Sequence, residues 1–134
     1  MAGTMMKQPF LTVDTIVQMD GGVVLVKRGG EPHKGKWALP GGFVSYGEMV
    51  DFAAARETEE ETGLKVKVQK LVGVYSDPKR DPRGHTVSIC FVAEVVGGKL
   101  AAGSDAAEVR VFKKIPWDEL AFDHASMLRD AGFG

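Results

Sequence analysis

The chain of 134 residues contains one cysteine and no asparagine, and its formal net charge is −1. A single cysteine excludes an internal disulfide framework. Cys90 lies in the apolar segment VSICFVAEVV, which favours a role in core packing. A net charge so close to zero gives no broad attraction to nucleic acid or to anionic lipid, so we expect no nucleic-acid partner.

Long apolar runs are also absent. No stretch approaches the roughly 20 residues that a membrane-spanning helix needs, and MAGTMMKQPFLTVD at the start lacks the apolar core of a signal peptide. We therefore expect a cytoplasmic protein with no membrane partner. Met5 and Met6 leave the native start open. A hydrophobic content of 44% with 26% charged residues is typical of a globular domain, and the length predicts one domain over residues 1–134.

Strand patterns occupy most of the chain. FLTVDTIVQM and VVLVKR are separated by Gly21 and Gly22, which predicts a hairpin. LKVKVQKLVGVYS predicts one or two further strands, HTVSICFVAEVV gives the strongest strand pattern, and EVRVFKKI another. Pro116 opens a helical turn in WDELAF, and HASMLRDAG predicts a short terminal helix. Together with a helix in the middle of the chain, these strands predict an α/β fold with the sheet sandwiched between helices.

The central helix is rich in glutamate. It is predicted to begin after Gly47 and to end at Gly63. At about 100° per residue, three of its glutamates share a face with the apolar residues of the preceding turns, and a fourth points the other way. The three are Glu57, Glu60 and Glu61, the apolar residues are Val50, Ala53 and Ala54, and the fourth is Glu59. Buried carboxylates are costly unless they are paired or bound to metal. The pattern favours a metal site over a solvated acidic helix end, with an ion pair to Arg56 as the structural alternative.

The segment from 42 to 64 resembles the Nudix box, the motif of hydrolases that act on nucleoside diphosphates linked to another moiety. The motif is Gly, five residues, Glu, seven residues, then Arg-Glu-bulky-any-Glu-Glu-any-Gly-bulky. The matching residues are Gly42, Glu48, Arg56, Glu57, Glu60, Glu61, Gly63 and Leu64. The one departure is Thr58, where the family usually has an aliphatic residue that anchors the helix to the sheet.

This resemblance implies a Nudix-type α/β/α sandwich with a mixed central sheet and one catalytic helix. It also implies that Mg²⁺, or Mn²⁺, is held by carboxylates of the helix and by a backbone carbonyl. The implied metal ligands are Glu57, Glu60, Glu61 and the carbonyl of Gly41. Arg56 is expected to orient the glutamates. Glu48 is expected either to stabilise the junction between the loop and the helix or to bind metal. The catalytic base is Glu57, Glu60 or, near the strand EVRVF, Glu108; the sequence does not choose among them.

The loop YSDPKRDPRGHTVS is similar to that of ADP-ribose pyrophosphatases, which carry a proline near the position of Pro78. AFDHA, near the end, is similar to the same enzymes. Arg80 and Arg83 are candidates to bind substrate phosphate or to stack on adenine, and Arg28 resembles a family arginine near the phosphates. In the alternative interpretation, Arg80 and Arg83 form ion pairs with Asp77 and Asp81, two aspartates of their own loop.

The resemblance leads us to expect Mg²⁺-dependent hydrolysis of a small nucleotide substrate, ADP-ribose, to AMP and ribose 5-phosphate. One alternative is a ligand-sensing regulator, because some transcription factors carry a similar domain fused to a DNA-binding domain. The complete set of box acids and the few residues after the FDH of residues 122–124 favour an enzyme. A second alternative is hydrolysis of nucleoside triphosphates. A homodimer is possible by analogy with ADP-ribose enzymes.

Overall fold

A computed structural model describes residues 7–134, so the question of Met5 and Met6 lies outside the described residues. Among these described residues, the structure contains seven strands, two α-helices and one 3₁₀ turn, Trp117–Glu119. The strands are β1 (Phe10–Met19), β2 (Gly22–Arg28), β3 (Trp37–Ala38), β4 (Gly41–Phe43), β5 (Leu64–Tyr75), β6 (Thr86–Gly98) and β7 (Ala106–Phe112). The helices are α1 (Val50–Thr62) and α2 (His124–Asp130).

The strands form one mixed sheet with β1 at its centre. β1 runs parallel to β6 and antiparallel to β2 and β4, while β5 pairs with the far side of β6. β2 also pairs with β3 and β7. The predicted hairpin of β1 and β2 is present, and LKVKVQKLVGVYS forms a single strand with three register shifts against β6.

Alternation along the strands sends successive side chains to opposite faces of the sheet. One face packs against α1 through Val13, Phe91, Ala53 and Ala54. The other face packs against α2 through Ile16, Cys90, Val92, Met127 and Leu128. The sheet therefore lies between the two helices, and the predicted sandwich is confirmed. Within residues 7–134 none of the helices has the length and apolar character that a membrane-crossing helix needs.

The C-terminal end of α1 is fixed by local geometry. Gly63 adopts a φ of 76°, and its N–H donates to the carbonyl of Glu59, so the predicted C-terminal cap is present. Thr58 is fully buried, and its hydroxyl donates to the carbonyl of Ala54 at 2.8 Å. A polar side chain is thus accommodated where the motif usually has an aliphatic one, because its hydrogen bond is made within the helix.

Candidate active site

Two glycines bring β4 close to β1 and α1. In the sheet Gly41 lies opposite Asp14. A Cβ atom on Gly41 would overlap the Val13 carbonyl and the Asp14 carboxylate, and a Cβ on Gly42 would overlap the carboxylate of Glu57. These two positions therefore require glycine, since only a bare backbone leaves room for the carboxylates.

The guanidinium of Arg56 donates hydrogen bonds to three carboxylates of the glutamate helix and of the loop before it. Its Nε donates to Glu48 at 2.7 Å, and its Nη1 donates to Glu57 at 2.8 Å and to Glu60 at 3.2 Å. Its Nη2 donates to the Phe43 carbonyl at 3.1 Å, which ties the helix to β4. The hydrogen bonds from Arg56 lower the pKa of Glu48 to about 2. These contacts support the structural role for Glu48, at the junction between loop and helix.

The three glutamates differ in their surroundings. The side chain of Glu57 is only 15% exposed, whereas that of Glu60 is 57% exposed. Glu61 accepts the N–H of Gly41 at 2.7 Å. The helical wheel is therefore right for Glu57 and Glu61 and wrong for Glu60. The buried residues of the helix are Ala53, Ala54, Thr58 and Thr62. Glu60 lies about 160° from both Thr58 and Thr62, outside this stripe.

Burial raises the pKa values of two of these glutamates. It raises the pKa of Glu61 to about 7, partly offset by the hydrogen bond from Gly41. It also raises the pKa of Glu57, against the opposing effect of Arg56. Carboxylates whose charge is costly when they are buried gain most from a neighbouring cation.

A cleft of about 530 Å³ is lined by all three glutamates together with Gly41 and Gly42. In residues 7–134 no three His, Cys, Asp or Glu side chains converge as a ready-made metal cluster. The carboxylates are turned instead to Arg56 and to the Gly41 N–H. Mg²⁺ commonly takes only one or two protein carboxylates and completes its shell with water and substrate phosphates. The hard-oxygen donors of this cleft therefore fit a divalent metal ion that binds together with its substrate.

A second cleft of about 590 Å³ adjoins the first. The two share part of their lining, including Arg28, Phe43, Glu61 and Arg83. A volume of this size is typical of small-molecule sites, about 300–1,000 Å³. The glutamates therefore stand at one end of a longer groove that has room for an extended ligand.

The predicted arginines occupy three different environments. The side chain of Arg80 is only 5% exposed and donates to Asp123 at 2.7 and 2.9 Å and to Thr86 at 2.7 Å. The alternative that paired Arg80 with an aspartate of its own loop is therefore wrong, because its partner lies 43 residues farther along the chain. The Arg80 charge is neutralised at the floor of the larger cleft.

Arg83 forms the local pair that the sequence suggested as an alternative. It donates to both carboxylate oxygens of Asp81, at 3.1 and 2.7 Å, and its side chain stays 47% exposed. Arg28 differs, because its Nε donates to the neutral carbonyl of Pro32 at 2.6 Å. In the part of the chain that the structure describes, no carboxylate lies within 4.0 Å of the Arg28 guanidinium. Burial and the nearby charge of Arg83 lower the pKa of Arg28.

Glu108 lies away from both clefts. It is the third residue of β7, opposite Lys27 of β2, and its carboxylate accepts from Arg110 at 2.6 Å. Neither cleft includes it in its lining, whereas the turn before β7 contributes Ser104 and Asp105 to both. The strand pattern EVRVFKKI predicts a strand that begins at Glu108, and in the structure it begins two residues earlier, at Ala106.

Three polar residues beneath the larger cleft were missed by the sequence analysis. Asp14 is 7% exposed and accepts the hydroxyl of Ser88 at 2.5 Å. His124 approaches Asp14 through Nε2 at 3.4 Å, while its Nδ1 accepts the N–H of Leu39 at 3.0 Å. An available signal was an aspartate in the middle of the apolar pattern FLTVDTIVQM, since an unpaired buried carboxylate is costly.

The comparison with protein families matches the NUDIX domain over residues 9–131. The chain therefore belongs to the Nudix family of hydrolases, in agreement with the box motif. Family members generally use divalent metal ions. An ADP-ribose pyrophosphatase of Methanocaldococcus jannaschii is 51% identical over 122 residues, which cover 91% of this chain and 72% of that protein.

Two further comparisons extend this relationship. The ADPR responsive transcriptional repressor NtrR of Acinetobacter baylyi is 32% identical over 132 residues, 92% of this chain but only 53% of the repressor. The chain thus spans about half the length of that regulator. The crystal structure of a NUDIX hydrolase from Nitrosomonas europaea superposes with a TM-score of 0.83 at 32% identity, covering 96% of this chain and 76% of that one. The fold is therefore that of the Nudix family.

Proposed function

We propose that the protein is an Mg²⁺-dependent pyrophosphohydrolase that cleaves ADP-ribose to AMP and ribose 5-phosphate. The observation that carries the proposal is the position of Arg28. Its guanidinium has no carboxylate partner among the described residues and lines both the glutamate cleft and the larger cleft. An uncompensated cation beside a cluster of carboxylates suits a ligand whose pyrophosphate bridges the two clefts. The 51% identity to an ADP-ribose pyrophosphatase supports the choice of substrate.

The glutamates of the cleft, the Gly41 carbonyl and two arginines have roles in this proposal. Glu57, Glu60, Glu61 and the Gly41 carbonyl would hold Mg²⁺, or Mn²⁺ in its place. When bound, the metal neutralises phosphate charge and lowers the pKa of a coordinated water. Arg56 keeps Glu57 and Glu60 in position through its hydrogen bonds. Arg28 binds the pyrophosphate from the opposite side.

The remaining groups divide between catalysis and substrate binding. Glu57 and Glu60 remain candidates to take the proton of the attacking water, because they line the same cleft as Glu61. Glu108 is the weaker candidate, since reaching that cleft requires release from Arg110. Arg83 contacts substrate at the cleft mouth. Arg80 acts from the floor by holding Asp123, although its side chain also lines the cleft.

A second candidate function is ligand sensing, favoured by the 32% identity to a repressor described as responsive to ADPR. A sensor would bind ADP-ribose without cleaving it. The complete set of box carboxylates favours cleavage, because three of them, Glu57, Glu60 and Glu61, line the cleft where a metal would be needed only for chemistry.

An assay of purified protein with Mg²⁺ separates these functions. We expect AMP release from ADP-ribose to be faster than hydrolysis of any nucleoside triphosphate, and faster triphosphate turnover would contradict the substrate proposal. Binding of ADP-ribose without cleavage would support the sensor. Arg28→Gln should raise the KM for ADP-ribose about tenfold or more, the loss of a charge-assisted hydrogen bond. The matched control is Arg129→Gln, an exposed arginine outside both clefts, which should leave KM unchanged.

We also propose a cellular location, a domain organisation and an oligomeric state for the enzyme. We infer a cytoplasmic protein from its single free, buried cysteine, and a single functional domain from the family match over residues 9–131. A homodimer is proposed on the resemblance to ADP-ribose enzymes. Sedimentation equilibrium tests the dimer, and a mass equal to one chain at micromolar concentration would contradict it.

A further inference from the structure

The segment at the start of α2, residues 122–124, contacts several residues that line the larger cleft, and we call it the FDH segment. Its second residue, Asp123, binds the guanidinium of Arg80, and its third, His124, accepts the backbone N–H of Leu39. Arg80 and Leu39 both line the larger cleft. The segment is therefore anchored to two separate parts of the cleft wall, which fixes the position of its first residue.

That first residue, Phe122, is held in an unfavourable backbone conformation. Its φ is 52°, in the left-handed region that a bulky residue rarely adopts. The guanidinium carbon of Arg28 lies 4.9 Å from the centre of the Phe122 ring. The imidazole of His33 packs at 72° to the same ring, with the two ring centres 4.6 Å apart. Strain that neighbouring contacts maintain is typical of functional positions, and here it accompanies a ring that lies against an arginine of the cleft.

Arg28 is held by groups that carry no charge. Its Nε donates to the carbonyl of Pro32 at 2.6 Å, which uses one of the five N–H donors of a guanidinium, and the Phe122 ring is its other partner. Arg80 and Arg83, by contrast, are each paired with an aspartate. A carboxylate orients a guanidinium but offsets its charge. A carbonyl and the negative face of an aromatic ring orient it and leave its charge for an anionic ligand.

We propose that Phe122 is the positioning residue of Arg28, and that its ring holds the guanidinium ready for the pyrophosphate without neutralising it. The inference rests on the proposed function in taking Arg28 as the residue that binds the pyrophosphate. A flexible arginine loses conformational entropy when a ligand orders it, so a guanidinium ordered in advance binds the same anion more tightly. His33 supports the ring on which Arg28 lies.

A purely structural role for Phe122 is the competing explanation, because its ring also packs against the core cluster of Val26, Ala38 and Ala121. Phe122→Leu separates the two roles. Leucine keeps an apolar side chain and the same positive φ but removes the aromatic face. Phe122→Tyr keeps that face and should behave as the wild type.

Two further variants complete the set. Phe52→Leu is the matched control, since Phe52 is an exposed aromatic residue outside both clefts. Phe122→Gly removes the ring and also relieves the backbone strain, so it replaces the leucine variant if that variant does not fold. Thermal melts monitored by circular dichroism confirm that each variant is folded.

The first test measures the order of the Arg28 side chain directly, in protein without metal or nucleotide. The Nε–H signal of Arg28 in nitrogen-15 NMR spectra is assigned by its loss in Arg28→Gln. We expect its hydrogen exchange to be about threefold to tenfold faster in Phe122→Leu, the effect of losing one cation–π contact. Phe122→Tyr and Phe52→Leu should exchange as the wild type does. Unchanged exchange in folded Phe122→Leu would overturn the proposal.

The second test is a double-mutant cycle on the binding of inorganic pyrophosphate, measured by calorimetry. This ligand has no base or sugar that could contact the ring directly. We expect Phe122→Leu to weaken binding about threefold to tenfold in the wild type and to have no further effect in Arg28→Gln, because the ring acts through Arg28. An equal loss in both backgrounds would overturn the proposal.

Failure of the proposed function gives a different result. Unchanged pyrophosphate affinity in Arg28→Gln would contradict the role of Arg28 in binding the pyrophosphate, and failure to hydrolyse ADP-ribose would contradict the activity. In either case the exchange rate of the Arg28 Nε–H still decides whether the Phe122 ring holds the guanidinium, since that measurement needs neither ligand nor turnover.

Discussion

The imidazole Nδ1 of His124 accepts the backbone N–H of Leu39 at 3.0 Å. An acceptor nitrogen carries no proton, so the proton of the ring is on Nε2, which faces the Asp14 carboxylate at 3.4 Å. This contact joins the start of α2 to the segment that leads into Gly41. It thereby connects the turn that presents Phe122 with the strand that supports the glutamate cleft.

His124→Ala should destabilise the protein by about 1–3 kcal/mol, the cost of leaving a buried N–H without an acceptor. His124→Asn places an amide oxygen near the former Nδ1 and should recover much of that loss. Urea unfolding of the two variants measures the difference. Equal stability of the alanine variant and the wild type would show that the Leu39 contact contributes nothing.

Glu61→Gln should remove most activity and stabilise the metal-free protein above neutral pH. The folded pKa of Glu61 is about 7, raised from 4.5. The protonated Glu61 carboxyl therefore stabilises the folded state fully below pH 4.5, and this contribution is lost as pH rises through 7. Glutamine avoids that loss while still accepting the Gly41 N–H. We expect a gain of about 3 kcal/mol at pH 8 and none at pH 4.

Two measurements check this variant. Thermal melts across the pH range, without metal, should show the gain only at the upper end. Added Mg²⁺ should raise the melting temperature of the wild type more than that of Glu61→Gln, because a ligand stabilises the state that binds it. Full hydrolytic activity in the variant would contradict a metal-binding role for Glu61.

Arg56→Lys should lower kcat about tenfold to a hundredfold, the usual effect of losing a group that positions metal ligands. Lysine cannot contact Glu48, Glu57 and Glu60 together, as the guanidinium does. Glu48→Gln is the matched control, because it weakens one contact of Arg56 and leaves the contacts to Glu57 and Glu60. A rate loss in Glu48→Gln as large as that in Arg56→Lys would show that Glu48 acts directly on the metal.

The lowered pKa of Glu48 implies that the stability of the protein depends on pH in the acid range. Its pKa is lowered to about 2, so its contribution is present above pH 4.5 and is lost as pH falls through 2. The stability difference between the wild type and Glu48→Gln should therefore shrink over that range. Acid titration of both proteins, followed by circular dichroism, measures it, and a constant difference would contradict the ion pair with Arg56.

Gly42→Ala should reduce kcat/KM by more than about a hundredfold, because the added Cβ displaces the Glu57 carboxylate. Gly97→Ala is the matched control, since a Cβ at that position makes only ordinary contacts with Lys65. Steady-state kinetics on both variants measure the effect. Unchanged activity in Gly42→Ala would mean that Glu57 can move away without consequence.

The helix between Gly47 and Gly63 and the hairpin at Gly21 could be predicted from the sequence, because caps, turns and periodicity are local properties. The contacts of Asp14 could not be predicted from the sequence. Its neighbours Ser88 and His124 are brought to it by the parallel pairing of β1 with β6 and by the docking of α2, over separations that local patterns do not encode.

The arginines show the same limit. The pairing of Arg83 with Asp81 spans two residues and was among the predicted alternatives. The pairing of Arg80 with Asp123 depends on where the chain returns after β7, so the local aspartates were the wrong partners. Glu60 was misplaced for another reason, since a helical wheel fixes relative angles but not which angle faces the sheet.

Cys90 is fully buried in β6, between β1 and β5, and burial raises the pKa of its thiol. The sulfur is therefore protonated and shielded in the closed sheet, and a thiol-reactive probe gains access only when these strands separate. Because Cys90 is the one cysteine of the chain, its labelling rate reports a single event, the opening of the sheet. The protein thus carries its own reporter of native-state opening, and slower labelling in the presence of a nucleotide measures binding without any need for turnover.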